Sequence, residues 1–350
     1  MKNSILLLGA FLTFCSAEAE PLSLPASDAR FAWSDCVGTE VAGTGVWFTR
    51  AVLRHGGKYV VDSPCGRFRF RCNAAELSVE LLYGERNAPV RAHNSVGVFL
   101  IDGEGREAWC FHRANIQNRE PESVMVHLPA DGRMHDYELV MPYAERAGVC
   151  RVVCNVGTAF QNPSPRPVFR CAFFGDSVTH GFTASRIDRC YPYRVGILKN
   201  WQVLNVGLGG IGISPRIAAD LSNVDMDRLI VALGVNDWQG GTDPERSKAN
   251  MLELLRTFRR AKPDVPVTVV TPLWVPPSWK PAKARFELDA YRKAIVQAVA
   301  ACGDMRIAVV AGDTLIDHDP ALFDKVAVHP NDRGFAQMAE RLANALPPRR

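Results

Sequence analysis

Five short apolar runs constrain this fold most: CAFFG (171–175), VLNVG (203–207), LIVALG (229–234), VTVVTP (267–272) and IAVVAG (307–312). Each is almost continuously hydrophobic, as a strand must be when both faces of its sheet are covered, and stretches of helical period lie between them. In DPERSKANMLELLRTFRRAK (243–262), Met251, Leu254, Leu255 and Phe258 recur at helical spacing and share one face. Strands that alternate with helices predict a parallel sheet sandwiched between helical layers, an α/β unit over residues 169–350.

The preceding residues follow another period. In AELSVELLY (75–83), Leu77, Val79 and Leu81 fall on one face and Ser78 and Glu80 on the other, the alternation of a half-buried strand. Further runs of this kind occupy residues 95–111, 123–143 and 148–156, with Asp102-Gly103 and Asp131-Gly132 as tight turns. Many strands without a helical stretch predict an antiparallel β-sandwich over residues 20–160. FQNPSPRPV (160–168) supplies a proline-rich linker at 161–168, whose preset backbone angles make it semi-rigid. No internal repeat is visible.

The chain opens with MKNSILLLGAFLTFCSAEAE, which has a basic Lys2, an apolar stretch from Ile5 to Phe14, and Ala17-Glu18-Ala19 as a small-x-small cleavage site. This pattern predicts an export signal over residues 1–19 and a secreted or periplasmic protein. Roughly ten apolar residues are too few to cross a bilayer that needs about 20, and no later segment is long enough to span. A lipid on Cys15 is the lesser alternative, because Phe14 is bulky where lipoprotein signals carry a small residue. Nine cysteines follow the cleavage site, an odd number that leaves at least one thiol unpaired, and their usage fits an oxidising compartment. They include no Cys-x-x-Cys pair and no zinc-like His spacing, so neither a metal nor another cofactor is expected. The 41 basic and 37 acidic residues leave a net charge of +4 with no dense basic run, so no nucleic-acid partner is expected either.

In an open parallel sheet, ligands bind beyond the carboxyl ends of the strands. The first run leads into Gly175-Asp176-Ser177-Val178-Thr179-His180-Gly181, which presents a serine hydroxyl at a strand-to-helix turn; the plainer reading is a helix cap by Asp176 or Ser177. The second run ends in NVGLGGIG, where Gly207, Gly209 and Gly212 match G-x-G-x-x-G. The nearest acidic residues, Asp225 and Asp227, precede the next strand and Pro215 interrupts the helix start. A glycine turn whose N–H approaches a substrate oxygen fits better than a dinucleotide site. The third run ends in Leu233-Gly234-Val235-Asn236-Asp237, and His329 follows the fifth. Serine to attack, histidine to shuttle a proton, and backbone and amide N–H groups to hold an oxyanion together make an acyl-transfer site.

Gly175-Asp176-Ser177, Gly210, Gly234-Val235-Asn236-Asp237 and His329-Pro330 resemble, in order, the four sequence blocks of the SGNH (GDSL-type) hydrolase superfamily, across about residues 170–347. No G-x-S-x-G elbow of the α/β-hydrolase type occurs. The resemblance implies a flavodoxin-like three-layer α/β/α domain, Ser177 as nucleophile, His329 as base, and an oxyanion hole formed by the Ser177 N–H, the Gly210 N–H and the Asn236 side chain. Residues 135–157 also resemble the jelly-roll-like sandwich that precedes the hydrolase in a two-domain branch acting largely on acylated carbohydrates. The resemblance therefore implies a carbohydrate O-acetylesterase. A glycan-binding protein with an impaired hydrolase and a lipid-ester or thioester hydrolase are the alternatives.

One position departs from the pattern. The family places aspartate three residues before the histidine, and here Val326 stands there. Asp324 is the nearest replacement, with Asp313, Asp317 and Asp319 farther away, and otherwise a backbone carbonyl orients His329 in a Ser-His dyad. For substrate contacts, TPLWVPPSWKPAK (271–283) is too proline-rich for a helix and offers Trp274 and Trp279 as cleft walls, with Trp238 beside Asn236-Asp237. Packing under a loop is the equal alternative for each indole.

Overall fold

The computed structural model describes residues 20–346 apart from 56–57, 86–95, 114, 116, 144 and 326–327. The proposed export signal and Val326 lie outside the described residues. The strands before the linker are β1 (Leu22–Pro25), β2 (Ala32–Ser34), β3 (Gly38–Ala42), β4 (Gly45–His55), β5 (Lys58–Val60), β6 (Arg67–Cys72), β7 (Leu77–Tyr83), β8 (Gly97–Ile101), β9 (Cys110–Phe111), β10 (Glu122–Leu128), β11 (His135–Val140), β12 (Ala147–Cys154) and β13 (Phe160–Gln161). They form two antiparallel sheets. One runs β10-β7-β12-β4-β3 with β1 beside β12 and β5 beside β4, and the other runs β13-β6-β11-β8-β9 with β2 beside β6.

Their inner faces enclose an aromatic core in which Phe31, Phe48, Phe68, Phe70 and Tyr137 are buried with Val79, Leu81 and Val149. Strand β7 alternates strictly between buried and half-buried positions, as its sequence period requires. At the Asp102-Gly103 turn both residues take positive φ, 51° and 84°, while Ile101 bridges Glu104. Such a turn follows the twist of a hairpin, and aspartate and glycine tolerate it at low cost. The linker is held along its length: Arg166 pairs with buried Asp35 at 2.9 Å, Ser164 donates its N–H to Asp136 at 3.1 Å, and Gln202 donates to the Pro167 carbonyl at 2.5 Å.

The five predicted apolar runs all form strands: β14 (Arg170–Gly175), β15 (Gln202–Asn205), β16 (Arg228–Ala232), β17 (Val267–Val270) and β18 (Ile307–Val310). Their order is β15-β14-β16-β17-β18, parallel throughout. Helices α1 (Ser177–His180), α2 (Tyr191–Lys199), α3 (Ile217–Leu221), α4 (Val235–Gly240), α5 (Pro244–Ala261), α6 (Leu288–Cys302) and α7 (Asp332–Ala345) connect and cover them. Alternate strand residues serve opposite layers. Phe173, Val203 and Ile230 pack with Tyr191, Phe335 and Leu342 of α2 and α7, whereas Phe174, Leu204 and Val231 pack with Met251, Leu255 and Ile295 of α5 and α6.

The predicted face of α5 is the buried one, with Met251, Leu254, Leu255 and Phe258 all inside. The helix starts where the sequence signals it: Asp243 accepts the Glu245 N–H at 2.8 Å and Pro244 fills the first turn. The antiparallel half also enters both layers, with Val98, Leu100 and Val140 in one and Leu53 in the other. The nine cysteines from Cys36 to Cys302 are all free thiols; Cys65 and Cys190 approach one another, with their sulfurs 3.7 Å apart. Among the described residues no helix is long and apolar enough to cross a membrane.

Candidate active site

The chain order 2-1-3-4-5 reverses direction between β15 and β16, on either side of β14, and the loops beyond these three strands carry Gly210, Ser177 and Asn236. Ser177 opens α1, capped by Asp176, whose carboxylate accepts the Val178 N–H at 2.9 Å. Thus the cap and the half-buried serine hydroxyl coexist in one turn. Gly175 must be glycine here, since a Cβ would lie 2.0 Å from Thr179 Oγ1 and 2.6 Å from the Ala232 carbonyl oxygen.

His329 arrives from the other end of the sheet, just before α7. Asn331 caps that helix by accepting the N–H groups of Arg333 and Gly334 at 3.0 and 3.2 Å. Asp332 reaches back, accepting the Ser185 N–H at 2.8 Å and a charge-assisted bond from Arg189 at 2.6 Å, and Thr183 donates to the Pro330 carbonyl at 2.8 Å. These ties anchor the histidine loop to the segment that follows α1. His329 Nε2 lies 2.8 Å from Ser177 Oγ, although the two residues are 152 positions apart in sequence. Phe182 packs edge-on against the imidazole with ring centres 4.7 Å apart.

The two intervening loops are tied to each other. Gly210 adopts φ +76°, a left-handed conformation in which a side chain is strained, while space for a Cβ is open; the requirement is conformational. Asn236, in the first turn of α4, donates one amide N–H to the Ile211 carbonyl at 2.9 Å, which binds the third loop to the second. Asp237 does the same with its carboxylate, accepting the Ile213 N–H at 2.9 Å and the Ser247 hydroxyl at 3.3 Å. Burial pushes its carboxyl above the usual range.

Burial likewise pushes Asp176 up to about 7, with neighbouring Asp237 adding repulsion. Its surroundings are apolar, a void of about 30 Å³ shared with Val178, Leu233, Val235 and Val270. A carboxyl whose folded pKa is raised stabilises the fold fully below its unfolded value near 4, and that contribution is lost as pH climbs through 7. Asp176→Asn keeps the oxygen that caps Val178 and removes the titration. Its Tm relative to wild type should therefore rise between pH 4.5 and pH 8.5, by on the order of 5 °C, in thermal melts at the two pH values.

The site residues proposed from sequence do not all converge. Asp324 is joined to His329 through the main chain, its N–H donating to the His329 carbonyl at 2.9 Å, and its carboxylate accepts the Lys325 N–H at 2.5 Å. Trp238 is not a cleft wall. It is 6% exposed within a small apolar cluster, and its indole N–H is committed to the Phe286 carbonyl at 3.1 Å. One α-turn from Val235, it shares that residue's inward face. Trp279 packs edge-on against Trp238, and Trp274 stacks on His318 with ring centres 5.0 Å apart; both are half-buried.

Sequence reasoning missed Arg50, Asp62, Tyr143, His180 and Phe182. Arg50 and Asp62 come from β4 and the loop before β6, and Tyr143 from the connection between β11 and β12. Asp62 accepts a 2.5 Å bond from His180 Nε2, and the Tyr143 ring lies 4.1 Å from the His180 ring. No periodicity marks such residues, because their roles depend on packing between the two halves.

Residues 173–337 match the GDSL-like lipase/acylhydrolase family. These residues form a GDSL-like lipase/acylhydrolase domain. No curated protein sequence matches the chain. Among solved structures, the salicylyl-acyltransferase SsfX3 from a tetracycline biosynthetic pathway shares the fold with a TM-score of 0.76 at 17% identity, over 94% of this chain and 99% of the other. A family two carbohydrate esterase from Cellvibrio japonicus aligns with a TM-score of 0.67 at 15% identity over 93% and 96%. The acetyl xylan esterase Est2A from Butyrivibrio proteoclasticus aligns with a TM-score of 0.62 at 12% identity over 93% and 97%. These likenesses extend the shared fold across the antiparallel half as well as the GDSL-like domain.

Proposed function

We propose that this protein is an exported serine esterase that removes short acyl groups, acetyl foremost, from a carbohydrate. The observation that carries the reading is the 2.8 Å approach of Ser177 Oγ to His329 Nε2 at the switch point of the sheet. Ser177 attacks the ester carbonyl carbon and its proton passes to His329 Nε2. The Ser177 and Gly210 N–H groups and the Asn236 amide hold the tetrahedral oxyanion. The intermediate collapses, the sugar oxygen leaves with the proton from His329, and an acyl-serine remains. Water, deprotonated by His329, then releases acetate and restores the hydroxyl.

The carbohydrate lies in an open groove of about 890 Å³ that begins at Gly210 and is lined by Ile213, Ser214, Arg216, Arg246 and Asn250. Hydroxyl and guanidinium groups of this kind suit a polyhydroxylated alcohol better than an acyl chain. The shared fold with carbohydrate esterases supports the same choice. Export rests on the leader sequence alone, and the mature chain beginning at Glu20 is its expected sign in N-terminal sequencing.

Acetate release from a panel of acetylated polysaccharides tests activity and substrate together. Release from at least one glycan, with octanoyl esters turned over at least tenfold more slowly than acetyl esters, is expected. Faster turnover of octanoyl esters would assign a lipid-ester hydrolase, and glycan binding without release would assign a binding protein.

His329 and Ser177 act as a dyad in this reading. The main-chain bond between Asp324 and His329 survives truncation of the Asp324 side chain. Asp324→Ala should therefore lower kcat on p-nitrophenyl acetate less than tenfold. A loss as large as that of Ser177→Ala would make Asp324 the third member of a triad.

A further inference from the structure

The antiparallel half sends a charged side chain into the catalytic loops. Arg50, on β4, is fully buried. Its guanidinium donates to the Asn205 and Gly207 carbonyls at 3.1 and 2.7 Å, to the Asp62 carbonyl at 2.7 Å and to the Asp62 carboxylate at 2.8 Å. The other carboxylate oxygen of Asp62 receives His180 Nε2 at 2.5 Å, and His180 lies three residues after Ser177. Burying an arginine is costly unless its donors are met, and here a planar fork meets three carbonyls and a carboxylate together.

What Arg50 grips is the segment that leads to Gly210. In a trans peptide the carbonyl and the following N–H point in opposite directions, so fixing both fixes the plane. The Asn205 carbonyl binds Arg50 while the Val206 N–H donates to the Phe173 carbonyl at 3.0 Å. The Gly207 carbonyl binds Arg50 while the Leu208 N–H donates to the Gly175 carbonyl at 2.8 Å. Between them the Gly207 N–H donates to Asn205 Oδ1 at 3.0 Å, and Asn205 Nδ2 donates to the Thr179 carbonyl at 2.9 Å. Of these three successive peptides, the first and third are thus held between β14 and Arg50, and the middle one is held by the Asn205 side chain. Gly207 packs directly on the backbone that follows Ser177, where a Cβ would stand 2.5 Å from the His180 backbone nitrogen.

We propose that Arg50 and Asp62 are positioning residues for catalysis: the antiparallel half, through Arg50 on the loop carbonyls and Asp62 on His180, sets Gly210 against Ser177. The inference rests on the esterase reading and makes that half an integral part of the active site. A donor displaced by about 1 Å from a developing oxyanion can cost 10²-fold in rate while ground-state binding is kept.

The test uses the full chain with Arg50→Met, Arg50→Lys and Asp62→Asn, each checked for folding by circular dichroism and assayed on p-nitrophenyl acetate well below its Tm. Arg50→Met should lose roughly 10²-fold in kcat with KM within threefold, and Arg50→Lys should recover part of the loss by reaching one carbonyl. Asp62→Asn is nearly isosteric and should lose about tenfold, so it decides the matter if Arg50→Met does not fold. In hydrogen exchange, amides 206–210 should exchange at least tenfold faster in the variants, with or without turnover. Wild-type kcat in a folded Arg50→Met or Asp62→Asn, or unchanged exchange at these amides, overturns the proposal. An inactive wild type with faster exchange in the variants would overturn the esterase reading and leave the loop-holding role standing.

Discussion

Ser177→Ala is expected to lower kcat on p-nitrophenyl acetate by roughly 10⁴-fold or more, while the melting temperature stays within about 2 °C of wild type. The large rate effect follows from chemistry, since without the hydroxyl no acyl-enzyme forms and water must attack without a covalent step. The small stability effect follows from position. The serine hydroxyl lies against His329 Nε2 at the sheet edge, while the cap of α1 belongs to Asp176. His329→Ala should cost about as much, and the double variant scarcely more than either single one, because a nucleophile and its base act as a unit. Steady-state kinetics of the three variants, with melts by circular dichroism, check all of this. Costs that add instead would separate the two residues into independent roles.

The sequence revealed most of this arrangement where local physics dominates. Continuous apolar runs require a sheet covered on both faces, and all five became parallel strands. The α5 face was legible because Met251, Leu254, Leu255 and Phe258 repeat at the helical period. Ser177 and His329 were legible because each closes a strand-to-helix connection, and open α/β sheets collect their chemistry there.

Residues whose roles depend on distant packing were opaque. Trp238 carries an indole suited to a sugar face, but its helix turns it inward with Val235, and only the fold decides that. Arg50 sits in VWFTRAVLRH (46–55) as one of two arginines in an alternating strand, a pattern that normally places it in solvent. It is buried because a second structural unit packs over it and offers carbonyls to its donors. The glycine loop and the arginine that grips it therefore belong to different halves, and a motif describes only one of them.

Asn236→Ala separates an oxyanion donor from a loop clamp. The Asn236 amide carries two N–H bonds, of which one goes to the Ile211 carbonyl at 2.9 Å. That bond fixes the side chain and stitches the start of α4 to the glycine loop, and the second N–H is the donor assigned to the oxyanion. Truncation should lower kcat by about 10²–10³-fold with KM within threefold, since the donor meets full charge only in the transition state. The lost loop bond should cost about 1 kcal/mol of stability, a few degrees in Tm for a chain of this size. Asn236→Asp should be worse in kcat than alanine, because it sets a carboxylate beside both the Ile211 carbonyl and the developing oxyanion. Lower Tm with an unchanged kcat in Asn236→Ala would reduce the residue to the clamp and leave the backbone N–H groups to hold the oxyanion by themselves.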